Sequence, residues 1–271
     1  MAFLEIAQTG DIKAWKTGNS YAEVERVIGR YLAALALSDK PVLEALRDPV
    51  WSRHKLNGGG DALHLIDNAL SSESANEPIN WAGGVWLTSL QIFRDSIAVV
   101  RLDDWDNDKA AIMLLFMVDG KWRIASEFSV TAAPGVNAAA MRINTNEQKI
   151  LTTLASFFDA VEQGATSILH DLSDENWCAK QHSPMHRVTA ENMDSFAARI
   201  ATASQGLRRD NCKVADVQIL YNRLACVRVD MPHPAHTAIF LLCRRGQDWV
   251  IAEKASSGEV AEQPPVHRLA M

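Results

Sequence analysis

The spacing of hydrophobic residues changes along the chain from the period of a helix to the period of a strand. Near the start, apolar residues recur every three or four positions, which predicts a long amphipathic helix. Ser20, with Glu23 three residues on, has the spacing of a capping box for this helix. A second helix is predicted after a cap at Asp39 or Ser38, and should end at Asp48 and Pro49. The apolar stripe of the first helix comprises Val24, Val27, Ile28, Tyr31, Leu32 and Leu35.

Downstream the pattern is that of a sheet. Residues 62–70 are helix-like, whereas 85–93, 97–103, 110–118 and 121–128 are typical of strands. Asp119 and Gly120, between the last two strands, form a strong signal for a two-residue hairpin. The sequence therefore predicts helices first and a hairpin-connected meander afterwards.

The second half of the chain repeats the first. Trp51 aligns with Trp177, and Trp122 aligns with Trp249, at offsets of 126 and 127 residues. The match predicts one folded plan used twice, with helices at 147–162, 167–172 and 190–203 and strands at 212–221, 223–231, 236–244 and 248–254. The predicted boundaries are an N-terminal extension (1–19), a first domain (20–130), a linker (131–145), a second domain (146–256) and a C-terminal tail (257–271).

Helices followed by a meander predict an α+β layer arrangement. The strands at 97–102 and 112–118 are apolar on both faces, so both faces must be covered. Helices of the same repeat can cover one face, and the sheet of the other repeat is the simplest cover for the second. The sequence thus predicts two α+β domains in tandem, paired as an intramolecular pseudo-dimer.

The composition and the absence of certain motifs limit the partners and cofactors that we expect. The net charge of −6 argues against nucleic acid or an anionic membrane as the main partner, because both require a basic face. The first residues form no apolar export signal, so a cytoplasmic protein is expected. The four cysteines form no CxxC pair and are interpreted as reduced core thiols. No glycine-rich phosphate loop or nucleophile elbow is present, so we expect no cofactor.

The long first helix with Tyr31 near its end, the following Ser38 and Asp39, and the hairpin at 117–124 together resemble the NTF2-like superfamily, in particular its SnoaL-like or lumazine-binding subgroup. The resemblance covers about residues 20–130 and 146–256. It implies cone-shaped α+β barrels with a pocket between the long helix and the curved sheet. Members include isomerases, cyclases, dehydratases, lyases and non-catalytic binding modules.

Three residues are candidates for catalysis. By position, the resemblance matches Tyr31 to the helix tyrosine and Asp39 to an acidic turn residue of the family, while the second copy has Phe157 and Ala165 there. His54 follows the second helix, where the mouth of the pocket is expected, and could act as a general base. The alternatives are a core aromatic for Tyr31, a helix cap for Asp39 and a solvated loop histidine for His54.

Six further residues are candidates for ligand binding. Arg101 with Asp103, and Arg228 with Asp230, recur in both copies and are equally interpretable as structural ion pairs. The full candidate set is Trp51, Arg101, Asp159, His182, Tyr221 and Arg228. His182 and His186 have metal-ligand spacing, but Pro184 between them makes a regular helix unfavourable, so no metal site is predicted.

The leading hypothesis is a protein that binds a small apolar or aromatic molecule and catalyses a cofactor-independent acid–base reaction such as dehydration, isomerisation or a lyase step. In it, His54 moves the proton while Tyr31 stabilises the oxyanion. The alternative is a non-catalytic ligand-binding or scaffold protein, and a weaker third is metal-dependent chemistry in the histidine-rich segment. A homo-oligomer beyond the internal pseudo-dimer is also compatible with the pattern.

Overall fold

The computed structural model describes residues 20–56, 63–68, 84–132, 145–183, 187–202, 212–232 and 235–258. The expected N-terminal extension, and almost all of the expected linker and C-terminal tail, lie outside the described residues. Among the described residues, no helix combines the length and the apolar character needed to cross a bilayer.

Within the described residues, each half has two helices followed by six strands, and the second half has a further helix between its second and third strands. The first half contains α1 (Ser20–Leu37), α2 (Lys40–Leu46), β1 (Arg47–Leu56), β2 (Leu63–Asn68), β3 (Val85–Phe93), β4 (Ile97–Asp104), β5 (Lys109–Val118) and β6 (Lys121–Thr131). The second half contains α3 (Thr145–Gln163), α4 (Thr166–Asp171), β7 (Ser173–His182), β8 (Val188–Asn192), α5 (Met193–Thr202), β9 (Lys213–Leu220), β10 (Leu224–Pro232), β11 (Ala235–Arg245) and β12 (Asp248–Gly258).

The two halves form separate sheets with the same strand order. The first sheet runs β2-β1-β6-β5-β4-β3, and the second runs β8-β7-β12-β11-β10-β9. Among the described strand pairs, only β1 with β6 and β7 with β12 are parallel. The shared order confirms that one plan is used twice, whereas closure of either sheet into a barrel stays a prediction.

Local sequence signals explain where one helix begins and where two strands are joined. The Oδ1 atom of Asp39 accepts a hydrogen bond from the backbone N–H of Val42, so this carboxylate caps α2. Asp119 and Gly120 join β5 to β6 with φ angles of 48° and 72°, which is the positive-φ geometry of a two-residue hairpin. Both features were predicted from the sequence.

Three predictions of local structure were wrong. The helix predicted at 62–70 is wrong, because β2 occupies Leu63–Asn68. The stretch after the second helix is not a loop: His54 lies within β1. The histidine-rich segment after Trp177 was expected to be a polar loop, but it is strand, β7, up to His182. Each segment of mixed polarity forms a strand by pairing with another strand: β1 and β7 pair with the distant β6 and β12, and β2 pairs with β1. A local pattern does not reveal such pairing.

Successive buried side chains of a strand point to opposite faces of the sheet and belong to two different hydrophobic clusters. On β4, Ala98 and Val100 pack on the side of α1, which we call the inner face, while Ile97 and Val99 belong to a cluster on the outer face. The outer-face cluster also includes residues of the second sheet, such as Leu241. The two sheets therefore share a core through their outer faces, as the pseudo-dimer requires.

Candidate functional site

A row of paired residues crosses the inner face of the first sheet. Arg53 on β1 is paired with Glu127 on β6, which is paired with Met113 on β5. Met113 in turn is paired with Val100 on β4. Paired residues of neighbouring strands point to the same side of a sheet, so the two charged residues stand beside apolar ones under α1.

Tyr31 reaches this row from α1. Its hydroxyl donates a 2.6 Å hydrogen bond to Oε2 of Glu127. The Nε atom of Arg53 lies 3.6 Å from the other carboxylate oxygen, Oε1, which accepts no hydrogen bond from any described residue. All three side chains are buried. A buried carboxylate with one open oxygen is the main chemical feature of this face, because such a group is costly unless it is paired.

Burial also changes the acidity of two groups near the carboxylate, the Tyr31 phenol and the Lys109 amine. Burial, and then the negative charge of Glu127, raise the pKa of the Tyr31 phenol, so this residue donates its proton without losing it. Lys109, at the start of β5, has its pKa lowered to about 8 by burial, against the opposing effect of Glu127. Near neutral pH an amine with such a pKa can exchange a proton.

Trp51 borders the same face. Its ring lies 3.7 Å from the guanidinium carbon of Arg47, and that carbon is 6.0 Å from the ring centre of Tyr31. Trp51 is buried in the inner-face cluster of the first half. The structure thus brings together two of the predicted site residues, Tyr31 and Trp51.

The second half has different residues at the matching positions. The row on its inner face contains Ala179, Lys254 and Phe240, where the first half has Arg53, Glu127 and Met113. Phe157 replaces Tyr31, and its ring centre lies 5.7 Å from that of Phe240. The second half therefore lacks the phenol, the guanidinium and the carboxylate of the first.

His54 is not at the mouth of a pocket. It is 2% exposed, and its ring stacks on Phe128 at 4.3 Å on the outer face of the sheet. Arg53, its neighbour on β1, contacts Glu127 on the inner face, and successive residues of a strand point to opposite sides. The structure therefore separates His54 from Tyr31. Burial, with a further contribution from the charge of Lys180, lowers the pKa of His54 to about 3.

The outer faces enclose a buried ion pair that the sequence analysis missed. The ammonium of Lys180, on β7, donates to Oε2 of Glu253 at 3.1 Å. Its Nζ atom also lies 2.7 Å from the hydroxyl oxygens of Ser52 and Ser126 and from the carbonyl oxygen of Ala125, all in the first half, so its three N–H groups are shared among four acceptors. The hydroxyl of Ser126 donates to Oε1 of Glu253. This network joins the two halves with its polar groups satisfied.

Two predicted ligand-binding residues also lie between the halves. His182 Nε2 is 2.6 Å from the carbonyl oxygen of Met117, and the His182 ring stacks on Phe116. Tyr221 occupies the turn between β9 and β10, where burial, followed by the charge of Asp103, raises its pKa to about 12. Neither residue belongs to the inner-face cluster of its own half.

The recurring arginine–aspartate pairs form ion pairs in both halves. Arg101 donates to both carboxylate oxygens of Asp103, at 2.8 and 2.9 Å. Arg228 donates to Asp230 at 2.9 Å, and its guanidinium carbon lies 5.1 Å from the ring centre of Phe93 in the other half. These contacts agree with the structural interpretation, and a ligand-binding role for the two arginines stays a prediction.

The remaining predicted site residues lie on helices. Asp39 caps α2, and Asp159 lies half-buried on α3. His186 lies outside the described residues. Within the described ranges, no three histidine, cysteine, aspartate or glutamate side chains cluster as a metal site would require.

Glu127, Arg53 and Lys180 were not singled out from the sequence. A usable signal existed for Glu127, since it is the lone carboxylate of a strand that is buried along most of its length. Arg53 and Lys180 were hidden by the prediction of loops where β1 and β7 lie.

No family model and no curated protein matches the chain. Solved structures do resemble it. An NTF2-like protein of unknown function from Silicibacter pomeroyi is 14% identical, with 42% of this chain and 98% of that chain covered, at a TM-score of 0.37. A ketosteroid isomerase-like protein from Erwinia carotovora is 12% identical, with 43% and 98% covered, at a TM-score of 0.32. An NTF2-like protein from Cytophaga hutchinsonii is 12% identical, with 43% and 99% covered, at 0.34. Several solved NTF2-like proteins are thus similar to this chain, and the likeness concerns the fold alone.

Proposed function

We propose that the first half binds a small, largely apolar molecule that carries a carbonyl group, and moves a proton to or from it without a cofactor. The observation behind this proposal is the buried Tyr31–Glu127 hydrogen bond with Oε1 of Glu127 open beside Arg53. A carboxylate held on one oxygen and open on the other suits a general base.

In this mechanism Glu127 takes a proton from the carbon next to the carbonyl group. Tyr31 orients the carboxylate through its 2.6 Å hydrogen bond. The guanidinium of Arg53 stabilises the negative charge that develops on the carbonyl oxygen, since fixed donors in a buried site act strongly on such charge. This assignment replaces the earlier one, in which His54 moved the proton, because His54 lies on the opposite face.

A non-catalytic ligand-binding or scaffold protein is the second candidate. The burial of Trp51 and Trp177, at 2% and 3% exposure, favours it, because these rings fill the inner faces of both halves. In that case the Tyr31–Glu127 pair would serve only to satisfy a polar core.

Hydrogen–deuterium exchange separates the two candidates without knowledge of the natural reaction. Aromatic ketones would be incubated with the protein in heavy water, and loss of the proton next to the carbonyl group would be followed by proton NMR. We expect catalysed exchange with at least one ketone, reduced about a hundredfold or more in Glu127→Gln, which keeps an acceptor for Tyr31.

Glu44→Gln is the matched control, because Glu44 is exposed on α2. It should exchange at the wild-type rate. If Glu127→Gln exchanges as fast as the wild type, the acid–base role of Glu127 is wrong. If a ketone binds to the first half and no exchange is catalysed, the non-catalytic candidate is favoured.

A further inference from the structure

Lys254 occupies an unusual position on the inner face of the second sheet. On β12 it stands between Phe240 of β11 and Ala179 of β7, to which it is paired in the strand ladders. Ala179 is in turn paired with Glu191 of β8. The small side chain of Ala179 therefore separates the lysine from the nearest carboxylate of its row.

No hydrogen bond or ion pair joins the Lys254 ammonium to any residue that the structure describes. Glu191 is committed to Arg199 of α5, whose guanidinium donates to both of its oxygens. The Arg53 and Glu127 pair of the first half has no counterpart here, since alanine and lysine take those places. A half-buried ammonium is thus left without a neutralising partner.

The charges around the amine favour its neutral form. Burial, and then the positive charge of Arg199, lower the pKa of Lys254 to about 8, against the opposing effect of Glu191. A neutral lysine amine in an apolar environment is a nucleophile, and this is how proteins activate lysine towards carbonyl compounds.

We propose that Lys254 captures an aldehyde or ketone as an imine. The Nζ lone pair forms a bond to the carbonyl carbon, and the π electrons of the C–O bond move to oxygen. After proton transfer through water, the carbinolamine loses a water molecule and leaves a C=N bond. No oxidant, reductant or cofactor is required, and hydrolysis reverses the step.

The neighbouring side chains indicate the class of carbonyl compound. Phe240 stands directly beside the lysine, and Phe196 of α5 lies 5.9 Å from Phe157 and 5.1 Å from Trp177. These rings favour an apolar, aromatic body on the carbonyl compound. The proposal concerns the second half alone and does not depend on the acid–base role of Glu127.

Reductive trapping of the imine on Lys254 tests the proposal. The full-length protein is incubated near pH 7.5 with benzaldehyde and sodium cyanoborohydride, and benzylated lysines are located by peptide mass spectrometry. An amine of pKa about 8 is neutral on the order of a hundredfold more often at this pH than an ordinary lysine. We expect Lys254 to be labelled at least about tenfold faster than Lys213, which is exposed on β9.

Three variants complete the test. Lys254→Met should lose the adduct while Lys213 is labelled as before, and Glu127→Gln should leave labelling of Lys254 unchanged. Arg199→Met removes a positive charge, so the pH at which Lys254 becomes reactive should move upward. Labelling of Lys254 no faster than that of Lys213 would overturn the proposal, and so would an unaltered pH dependence in Arg199→Met.

Discussion

The Tyr31 hydroxyl and the Glu127 carboxylate, 96 residues apart in the chain, meet at 2.6 Å beneath the first helix. This contact links the two parts of each repeat, the opening helix and the last strand of the meander. It is absent from the second half, where Phe157 and Lys254 take the two positions. The repeat therefore keeps the fold and changes the chemistry.

Removing the hydroxyl group of Tyr31 should destabilise the protein, because the hydroxyl is the hydrogen-bond donor to a buried carboxylate. Tyr31→Phe leaves Oε2 of Glu127 buried without its donor, which should lower the free energy of unfolding by about 1–3 kcal/mol. Urea denaturation would measure the change. Tyr21→Phe is the control on the same helix, where Tyr21 is half-buried, and it should change the free energy by no more than about 0.5 kcal/mol. Equal effects of the two substitutions would contradict the role of the hydrogen bond.

Removing one charge of the Lys180–Glu253 ion pair should destabilise the protein more than removing both charges. Lys180→Met leaves the Glu253 carboxylate buried and uncompensated, so we expect a loss of about 3–5 kcal/mol in urea denaturation. Adding Glu253→Gln should recover most of that loss, because the amide carries no charge and still accepts from Ser126.

Lys213→Met on exposed β9 is the control for this pair and should be close to neutral. A double variant as unstable as Lys180→Met alone would show that the charge of Glu253 is not the cause.

Stability should fall as the solution is acidified below neutral pH. The folded protein lowers the pKa of His54 to about 3, so the unfolded chain binds a proton that the folded chain does not. Stability is complete above the unfolded pKa of about 6.5 and falls by about 1.4 kcal/mol per pH unit below it, until the folded pKa is reached. His236, with its pKa lowered to about 4, adds a slope of the same sign.

Denaturation between about pH 7 and pH 5 would check this slope. His54→Leu should reduce the slope, whereas His64→Leu should leave it as it is, because His64 is exposed on β2. An identical slope in wild type and His54→Leu would contradict the burial of a neutral imidazole between the sheets.

The helices and the meander could be predicted because their signals are local. Val24, Val27 and Ile28 repeat at helical spacing, and Asp119 with Gly120 supports the positive φ angles of the hairpin. The duplication was visible in the aligned tryptophans, and the nearly continuous burial along β4 bears out the expectation that both faces of the sheet are covered.

The residues of the candidate site could not be predicted in full, because they depend on the register of β1 against β6, which the sequence pattern does not reveal. Arg53 faces Glu127 only because β1 pairs in parallel with β6, with an irregularity between Arg47 and Ser52. A shift of one residue would exchange the places of Arg53 and His54 and would turn the histidine towards Tyr31. The sequence therefore indicated a tyrosine-based site but selected the wrong residue of β1 as its partner.

The two halves should unfold together. Leu241 lies in the cluster shared by the outer faces, and Leu241→Ala should cost about 2–5 kcal/mol by opening a cavity there. Because both sheets contribute to that cluster, near-ultraviolet and far-ultraviolet circular dichroism should give one coincident transition. Val214→Ala, at an exposed position on β9, should have little effect. Two separate transitions in the wild type would contradict a shared core.

Fluorine NMR of protein labelled with 5-fluorotryptophan tests most directly whether the inner face of the first half binds small molecules. Aromatic ketones should shift the resonance of buried Trp51, assigned through Trp51→Phe, and leave that of exposed Trp105 in place. In Arg53→Met the same shift should require about tenfold more ligand, as expected when a charged hydrogen bond to the carbonyl is lost. Failure of every ketone to shift Trp51, or equal affinity in Arg53→Met, would contradict a carbonyl-binding site at Tyr31, Arg53 and Glu127.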